Sequence, residues 1–260
     1  MDAMNNFQAL RLSVGYIGKS RVAWFYILIS CARFFVPSTT LAGKNLSLSF
    51  ILSCVGLLFA VVPIVFLVGF IHSIFQKYFH HRDVSIRETW DRGESFTGKM
   101  LGFYFLVAIL LLFLFGVHQA VFHTPPAPPL TAIFGIVFTP ITSFCMCAIV
   151  IDQVKVLKSI PTGFRIVDNH LSRSLGLGGI FFLLQNILLG LLMLIIFIAV
   201  PPRISFPLGF DLSTYQNLLQ VPIISLANQV LAAIIGPWNV TAFTMLYLDF
   251  TKEFPPDKTR

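Results

Sequence analysis

The sequence predicts an all-α integral membrane protein with six transmembrane helices and amphipathic helices on its cytoplasmic surface. Composition is the first observation behind this fold class: 56% of the 260 residues are apolar, 11% are charged and 28 are Phe. A water-soluble domain of this length has about a quarter charged residues. The other two observations are six apolar stretches and an uneven distribution of Lys and Arg between the loops. Together they predict a single polytopic membrane domain over residues 1–260.

Six stretches approach the ~20 mostly apolar residues that a bilayer-spanning helix needs. The fifth is the clearest, because Leu, Ile, Phe and Val dominate it. Their favourable free energy of membrane insertion exceeds the cost of the two polar side chains, Gln185 and Asn186. The first is the weakest, since the cost of inserting Arg33 nearly cancels the favourable insertion free energy of its apolar residues, unless the Arg33 side chain reaches water at the membrane surface. The predicted spans are 22–36, 46–75, 101–121, 130–151, 178–200 and 218–248.

Charge asymmetry orients these spans, because the excess of Lys and Arg stays on the cytoplasmic side of a membrane. With six spans and both termini cytoplasmic, all but three of the 18 basic residues lie inside. Lys44 and Arg203 lie outside, and Arg33 lies in the first span. We therefore predict a protein of the plasma (inner) membrane. The net charge of +7 follows from this distribution and from attraction to anionic inner-leaflet lipids, so nucleic acid is not an expected partner.

The segment from Asp152 to Arg173 is the most informative stretch outside the spans. Its apolar residues recur every three or four positions and so share one helical face, with basic residues on the other. Such a helix tends to lie along a membrane surface. Pro161 follows Ser159, a good helix cap, so span four is expected to reach about Lys158 and a separate helix to begin near Ile160. The predicted lipid or partner contacts are Lys155, Lys158, Arg165, Arg173 and Arg33.

Amphipathic segments also precede spans one and three. In residues 77–100, Gly93 and Gly98 weaken a charged helix, so a short interfacial helix followed by a turn is expected. A unit of surface helix plus transmembrane hairpin would then occur three times, with a period of roughly 75 residues, as internal repeats do in transport folds. The alternative is six unrelated helices with basic loops, and the slight sequence identity between the units leaves both interpretations open.

Two features inside the spans bear on function. Ionisable residues within a membrane are functional candidates, and Arg33 either reaches the interface with its side chain or contacts a pore or a lipid phosphate. Proline removes a backbone donor and bends helices, so the last span is expected to break at Gly236-Pro237.

Residues suited to catalysis or metal binding are few. Cys145 and Cys147 lie within a span and lack the spacing and partners of a zinc site, so apolar packing explains them better. His80 and His81 are adjacent and would point about 100° apart on a helix, which suits a solvated stretch better than a shared metal ion. The chain offers no pair of carboxylates and no serine–base arrangement at one depth. We therefore expect no cofactor, no metal and no enzymatic activity.

Two short motifs resemble those of a known family. Residues Ser159 to His170, followed by span five, resemble a Ser-x-x-x-x-Arg-hydrophobic-Val-polar-Asn pattern. That pattern occurs in the membrane domain found on some bacterial glycerophosphodiester phosphodiesterases and in its stand-alone six-span relatives. Residues Leu246 to Lys252 resemble the family's closing Leu-Tyr-aromatic-Asp-Leu-Arg. The resemblance implies six spans and envelope or lipid-related roles. It does not imply phosphodiesterase activity, which belongs to a separate soluble barrel.

Three functional hypotheses follow from these observations. The leading one is a non-enzymatic membrane protein that works with membrane lipids or a membrane partner, in an envelope or lipid-related role. The alternative is the membrane-embedded subunit of a transporter, in which the surface helix couples to a cytosolic partner. An intramembrane enzyme is the least favoured.

Overall fold

The described part of the chain is helical throughout its regular elements. The computed structural model describes residues 4–32, 46–122, 128–199 and 222–253, and the eight helices within these ranges confirm the all-α class. The described residues of the predicted spans lie in helices, apart from residue 151, and residues 33–36, 200 and 218–221 of those spans lie outside the described ranges. The helices are α1 (Asn6–Lys19), α2 (Arg21–Ala32), α3 (Leu46–His80), α4 (Ile86–Phe122), α5 (Pro128–Val150), α6 (Val156–Asn169), α7 (Leu171–Ala199) and α8 (Pro222–Glu253).

Four helical segments in the described ranges are long and apolar enough to cross a membrane. They are Val61–His80, Ile86–Leu114, Leu171–Leu191 and Val230–Thr251. α2 and α5 contribute the shorter apolar stretches Arg21–Ser30 and Gly135–Val150. The structure is therefore that of a helical membrane protein.

Three helices form the centre of the structure. α3, α5 and α8 contact one another, and each of the other long apolar helices lies against two of them: α2 against α3 and α8, α4 against α3 and α5, and α7 against α5 and α8. The carboxyl-terminal halves of the central helices carry buried aromatic side chains. The Phe144 ring lies 5.6 Å from that of Phe243 and 5.9 Å from that of Phe250. Side chains therefore fill this end of the core.

The amphipathic segments pack against the central helices through small residues. α1 lies against α8, the first part of α4 against α3, and α6 against α5. A Cβ atom on Gly93 would lie 2.1 Å from the Val65 carbonyl oxygen, and one on Gly163 would lie 2.9 Å from the Ile141 carbonyl oxygen. At these crossings one helix backbone rests on the other, which only glycine permits.

At the crossings of α4 with α3 and of α6 with α5, a second contact lies one helical turn away, and a hydrogen bond joins α1 to α8. A Cβ atom on Gly69 would lie 2.1 Å from the Thr89 carbonyl oxygen. The Cys145 thiol donates to the Ser159 carbonyl oxygen at 3.3 Å. In α1, where Ser13 is fully buried, the Trp238 indole N–H donates to the Ser13 hydroxyl at 2.7 Å. All three pairs join an amphipathic segment to a central helix.

α4 is continuous, so the turn expected after a short interfacial helix in residues 77–100 is wrong; the non-helical residues 81–85 precede α4. The helix begins after Ser85, whose hydroxyl accepts the Glu88 N–H at 3.1 Å, and runs unbroken to Phe122. Gly93 does not end the helix because it provides the contact with α3. At 1.5 Å per residue, α4 is about 55 Å long, well beyond the ~30 Å hydrocarbon core. Its charged first part therefore extends past the apolar stretch instead of lying on a separate helix.

The expected break at Pro161 is also wrong. α5 ends at Val150, before the predicted Lys158, and α6 begins at Val156 and passes through Pro161. The chain turns instead at Gln153, whose φ of 56° is left-handed, and the Val154 N–H closes the turn on the Ala148 carbonyl oxygen at 3.1 Å. Packing against α5 outweighs the one backbone donor that a proline removes.

α8 likewise continues through Pro237, so the predicted break at Gly236-Pro237 is wrong. Trp238, next to the proline, is held by Ser13 of α1, and within α8 the Thr241 hydroxyl donates to the Pro237 carbonyl oxygen at 2.7 Å. One tertiary contact and one local hydrogen bond thus support the helix around Pro237.

We predict that Gly93→Ala destabilises the protein by about 1–3 kcal/mol or more, as overpacking of a close contact does. The added methyl group would collide with the Val65 backbone, which cannot move as a side chain can. Thermal unfolding in mild detergent measures the effect. Gly98→Ala on the same helix is the matched control, because a Cβ atom there meets nothing within 4 Å. Equal melting temperatures for the two variants would contradict the close packing of α3 and α4.

Candidate functional site

α6 presents three distinct faces. A stripe of small residues, Ser159, Gly163 and Val167, is buried against α5. A second face carries large apolar side chains that point outward, with Leu157 72% exposed and Phe164 50% exposed. The third face is polar. Because the small residues make the contact with the protein, the large apolar residues remain free to contact something else.

The structure separates the residues predicted as lipid or partner contacts. Lys155, Lys158 and Arg165 are all exposed on or beside α6, and the last two lie seven residues apart on its polar face. Arg173 is at the start of α7 and is half-buried. Arg33 lies outside the described residues. The amphipathic segment therefore offers an exposed basic edge beside its apolar face, while Arg173 belongs to a different environment.

Arg173 lies where α1, α7 and α8 meet. Its Nη1 atom is 3.8 Å from Oδ2 of Asp249 near the end of α8. The same carboxylate oxygen accepts the backbone N–H of Met4 at 3.0 Å. Asp249 thus joins the amino-terminal segment and the α6–α7 junction to the last helix.

Phe250 supports the same junction from one side. The His170 ring stacks on the Phe250 ring with centroids 3.9 Å apart and planes inclined by 3°. The Arg173 guanidinium carbon lies 5.7 Å from the centre of the same ring, within the range of a cation–π contact. Phe250 therefore orients the side chain of His170, the one-residue break between α6 and α7, and that of Arg173 in the first turn of α7.

An open cleft of about 570 Å³ adjoins this junction. It is lined by Asp168, Asn169, His170, Leu171, Ser172, Arg173 and Leu175. The lining combines one cation, one carboxylate, neutral polar groups and two leucines. Such a lining can contact a positively or a negatively charged group together with an apolar chain.

A second polar contact anchors the other end of α6. The Tyr247 hydroxyl of α8 donates to the carboxylate of Asp152, in the turn between α5 and α6. Burial of the carboxylate beside α8 raises the pKa of Asp152 above its usual range, and the hydrogen bond from Tyr247 partly opposes the rise. The turn before α6 and the break after it are therefore both tied to the end of α8.

The sequence interpretation missed Asp249, Phe250 and Met4 as parts of the site. Asp249 lies within the motif from Leu246 to Lys252, and an acidic residue at the end of an apolar stretch is itself a signal of function. Phe250 and Met4 gave no such signal, because stacking and a backbone hydrogen bond depend on the folded arrangement. The cysteines are buried as expected, Cys145 against Ser159 and Cys147 beside Thr244.

Comparison of the chain with family models, with curated proteins and with solved structures finds no match. The function of the junction has to be argued from its own residues.

We predict that Asp152→Asn flattens the pH dependence of stability while keeping the contact with α8, because an amide oxygen still accepts from Tyr247. A carboxyl group with a raised pKa favours the folded state most at low pH. Its contribution is complete below the usual value of about 3.8 and is lost as the pH rises through the higher folded value. Thermal unfolding in detergent between pH 4 and 8 measures this. Identical pH profiles for wild type and variant would contradict it.

Tyr247→Phe is the complementary change. It removes the donor to a carboxylate that is partly solvent-exposed, so the free energy of unfolding at pH 7 should fall by about 0.5–1.5 kcal/mol, the net contribution of one hydrogen bond. The Asp152→Asn variant, measured at the same pH, should be at least as stable as wild type. If Tyr247→Phe had no effect, the contact would not hold the turn in place.

Proposed function

We propose that the chain is a non-enzymatic multi-pass protein of the plasma membrane, with six spans and cytoplasmic termini, and that it works with membrane phospholipids in an envelope or lipid-related role. The observation that carries the proposal is the division of α6 into three faces. Its small face is used by α5, its apolar face is exposed, and its basic edge lies beside that face. A helix of this kind inserts its apolar side at the headgroup boundary and draws anionic lipids to its basic side.

Charge complementarity favours a lipid surface over other occupants of α6. Lys158 and Arg165 are the exposed cations on its polar face, and Leu157 and Phe164 are its exposed apolar side chains. The inner leaflet supplies both a negative surface and an apolar interior. The resemblance to the membrane domain of bacterial glycerophosphodiester phosphodiesterases points the same way and stays a prediction.

The proposal includes the threefold repeat. In α1, α4 and α6 a pair of buried small residues four positions apart faces a central helix: Ala9 and Ser13, Thr89 and Gly93, Ser159 and Gly163. α1 and α6 are both 14 residues long, and each is followed by a one-residue break before the next helix. These shared spacings support three copies of one unit arranged around α3, α5 and α8.

The transporter alternative also uses α6, as a coupling helix against a cytosolic partner. On that hypothesis Leu157 and Phe164 would contact protein. The two readings predict different surroundings for the same side chains, so one experiment separates them.

We expect nitroxide labels on α6 in lipid vesicles to report an immersed face and a hydrated edge. Labels at Leu157→Cys and Phe164→Cys should collide mainly with dissolved oxygen, which concentrates in the membrane. Labels at Lys158→Cys and Arg165→Cys should collide mainly with a water-soluble nickel chelate. Power-saturation electron paramagnetic resonance measures both rates in a background without the native cysteines.

A label at Arg87→Cys, an exposed position on the charged part of α4, is the hydrated reference. Preferential exposure of all four α6 labels to the nickel reagent would contradict lipid contact and favour the cytosolic partner.

The proposed orientation has a separate test. A cysteine at Lys155 should react with an impermeant maleimide only from the cytoplasmic side, and one at Thr131, close to the start of α5, only from the outer side. The physical reason is the cytoplasmic retention of Lys and Arg. Labelling of intact cells and inverted vesicles measures it, and the reversed pattern would overturn the proposed topology without affecting the depth of α6.

A further inference from the structure

Arg173 departs from the pattern of its own helical unit. The second buried small residues of α1, α4 and α6 are Ser13, Gly93 and Gly163. The residues ten positions after them are, in the same order, Ala23, Phe103 and Arg173. Ala23 is 0% exposed and Phe103 is 1% exposed, so two of the three positions carry packed apolar side chains. The third carries a guanidinium group whose side chain is 33% exposed. Placing a charge where apolar packing serves elsewhere costs free energy, so a binding role is the natural reason for it.

Part of the guanidinium group is available to a ligand, since Arg173 lines the cleft and its side chain is 33% exposed. The buried part faces Asp249: the Nη1 atom makes no hydrogen bond with any residue in the described ranges, and its 3.8 Å contact with Asp249 is an ion pair only. Asp249 already accepts the Met4 N–H, so it holds the arginine in place without satisfying it.

The cleft beside Arg173 carries a group of the opposite sign. Asp168 lines the same cleft and is exposed, and Asn169 and Ser172 add neutral hydrogen-bonding groups. Leu171, which is 52% exposed, and Leu175 form an apolar part of the lining. The cleft thus combines a cation that can pair with a phosphate, a carboxylate that can pair with an ammonium group, and an apolar wall.

We propose that this cleft binds a zwitterionic phosphodiester of the phosphoethanolamine class, with the phosphate at Arg173 and the ammonium group at Asp168. A guanidinium group pairs with phosphate through two parallel hydrogen bonds, and a carboxylate pairs with an ammonium group. The apolar wall places the acyl chains of a phospholipid beside the headgroup, which makes phosphatidylethanolamine the favoured source. This inference rests on the proposed lipid-related function and names the lipid class for it.

Native mass spectrometry of delipidated protein tests the proposal. The probe is an equimolar mixture of phosphatidylethanolamine and phosphatidylglycerol with identical acyl chains. Wild type should retain mainly phosphatidylethanolamine, and Arg173→Gln should lower that retention by about tenfold or more, as the loss of charge-assisted hydrogen bonds does. Arg173→Lys should retain part of it. Arg87→Gln, an exposed cation on α4, is the matched control and should change nothing.

Asp168→Asn gives an independent reading, because this exposed residue is not needed for packing. It should abolish the preference for phosphatidylethanolamine over phosphatidylglycerol while lipid is still bound. An unchanged preference in Asp168→Asn, unchanged retention in Arg173→Gln, or stronger binding of phosphatidylglycerol by wild type would each overturn the proposal.

The source of the ligand is tested by competition with glycerophosphoethanolamine, which carries the headgroup without acyl chains. Failure of this soluble ester to displace bound lipid supports phosphatidylethanolamine. Complete displacement would overturn the lipid assignment in favour of a soluble phosphodiester. The labels on α6 report its immersion whatever Arg173 binds, so failure of this site and failure of the proposed function give different results.

Discussion

Close backbone contact between the amphipathic segments and the central helices is the constraint on which the rest of the structure depends. Gly93 rests on the Val65 carbonyl group and Gly163 on that of Ile141, distances that no larger side chain allows. Because the small residues make these contacts, the large apolar residues of the same segments are left for other surroundings. The exposed apolar face of α6 is therefore a consequence of how α6 packs: glycine and serine are buried against α5, and Leu157 and Phe164 are left exposed.

Most of the fold was predictable from composition and periodicity, whereas the helix breaks were not. Apolar stretches of the sequence coincide with helices in the described ranges, four of them long and apolar enough to cross a membrane, because burial of a helix in lipid depends on its own residues. Gly93, Pro161 and Pro237 were expected to end or divide helices, yet each lies within a continuous one. Their local penalties are about 1–3 kcal/mol, and packing against a neighbouring helix exceeds that. The actual turn is at Gln153, which adopts a left-handed φ. The sequence does not predict this turn, because the position is not occupied by glycine, the residue that favours such a φ.

The candidate site was predictable only where charge marks it. The sequence places Arg173 among the basic residues of the amphipathic segment, and its partner Asp249 is 76 residues away in the sequence and belongs to another helix. The pairing depends on the contact of α7 with α8, which a sequence pattern does not specify. Lys155, Lys158 and Arg165 were grouped with Arg173 because they are neighbours in sequence. In the structure they occupy the exposed edge of α6, and only Arg173 enters the junction.

The junction also unites the two ends of the chain. Met4 and Asp249 are 245 positions apart and share a hydrogen bond, and Ser13 of α1 accepts from Trp238 of α8. On its other side, α1 contacts α3 through a 2.8 Å hydrogen bond between Tyr16 and Ser73. α1 is therefore held between α8 and α3. Its contacts to α8 form only when the last span is present, so the surroundings of Arg173 are completed by the final helix of the chain. Any binding at Arg173 therefore depends on the packing of α8 against α1 and α7.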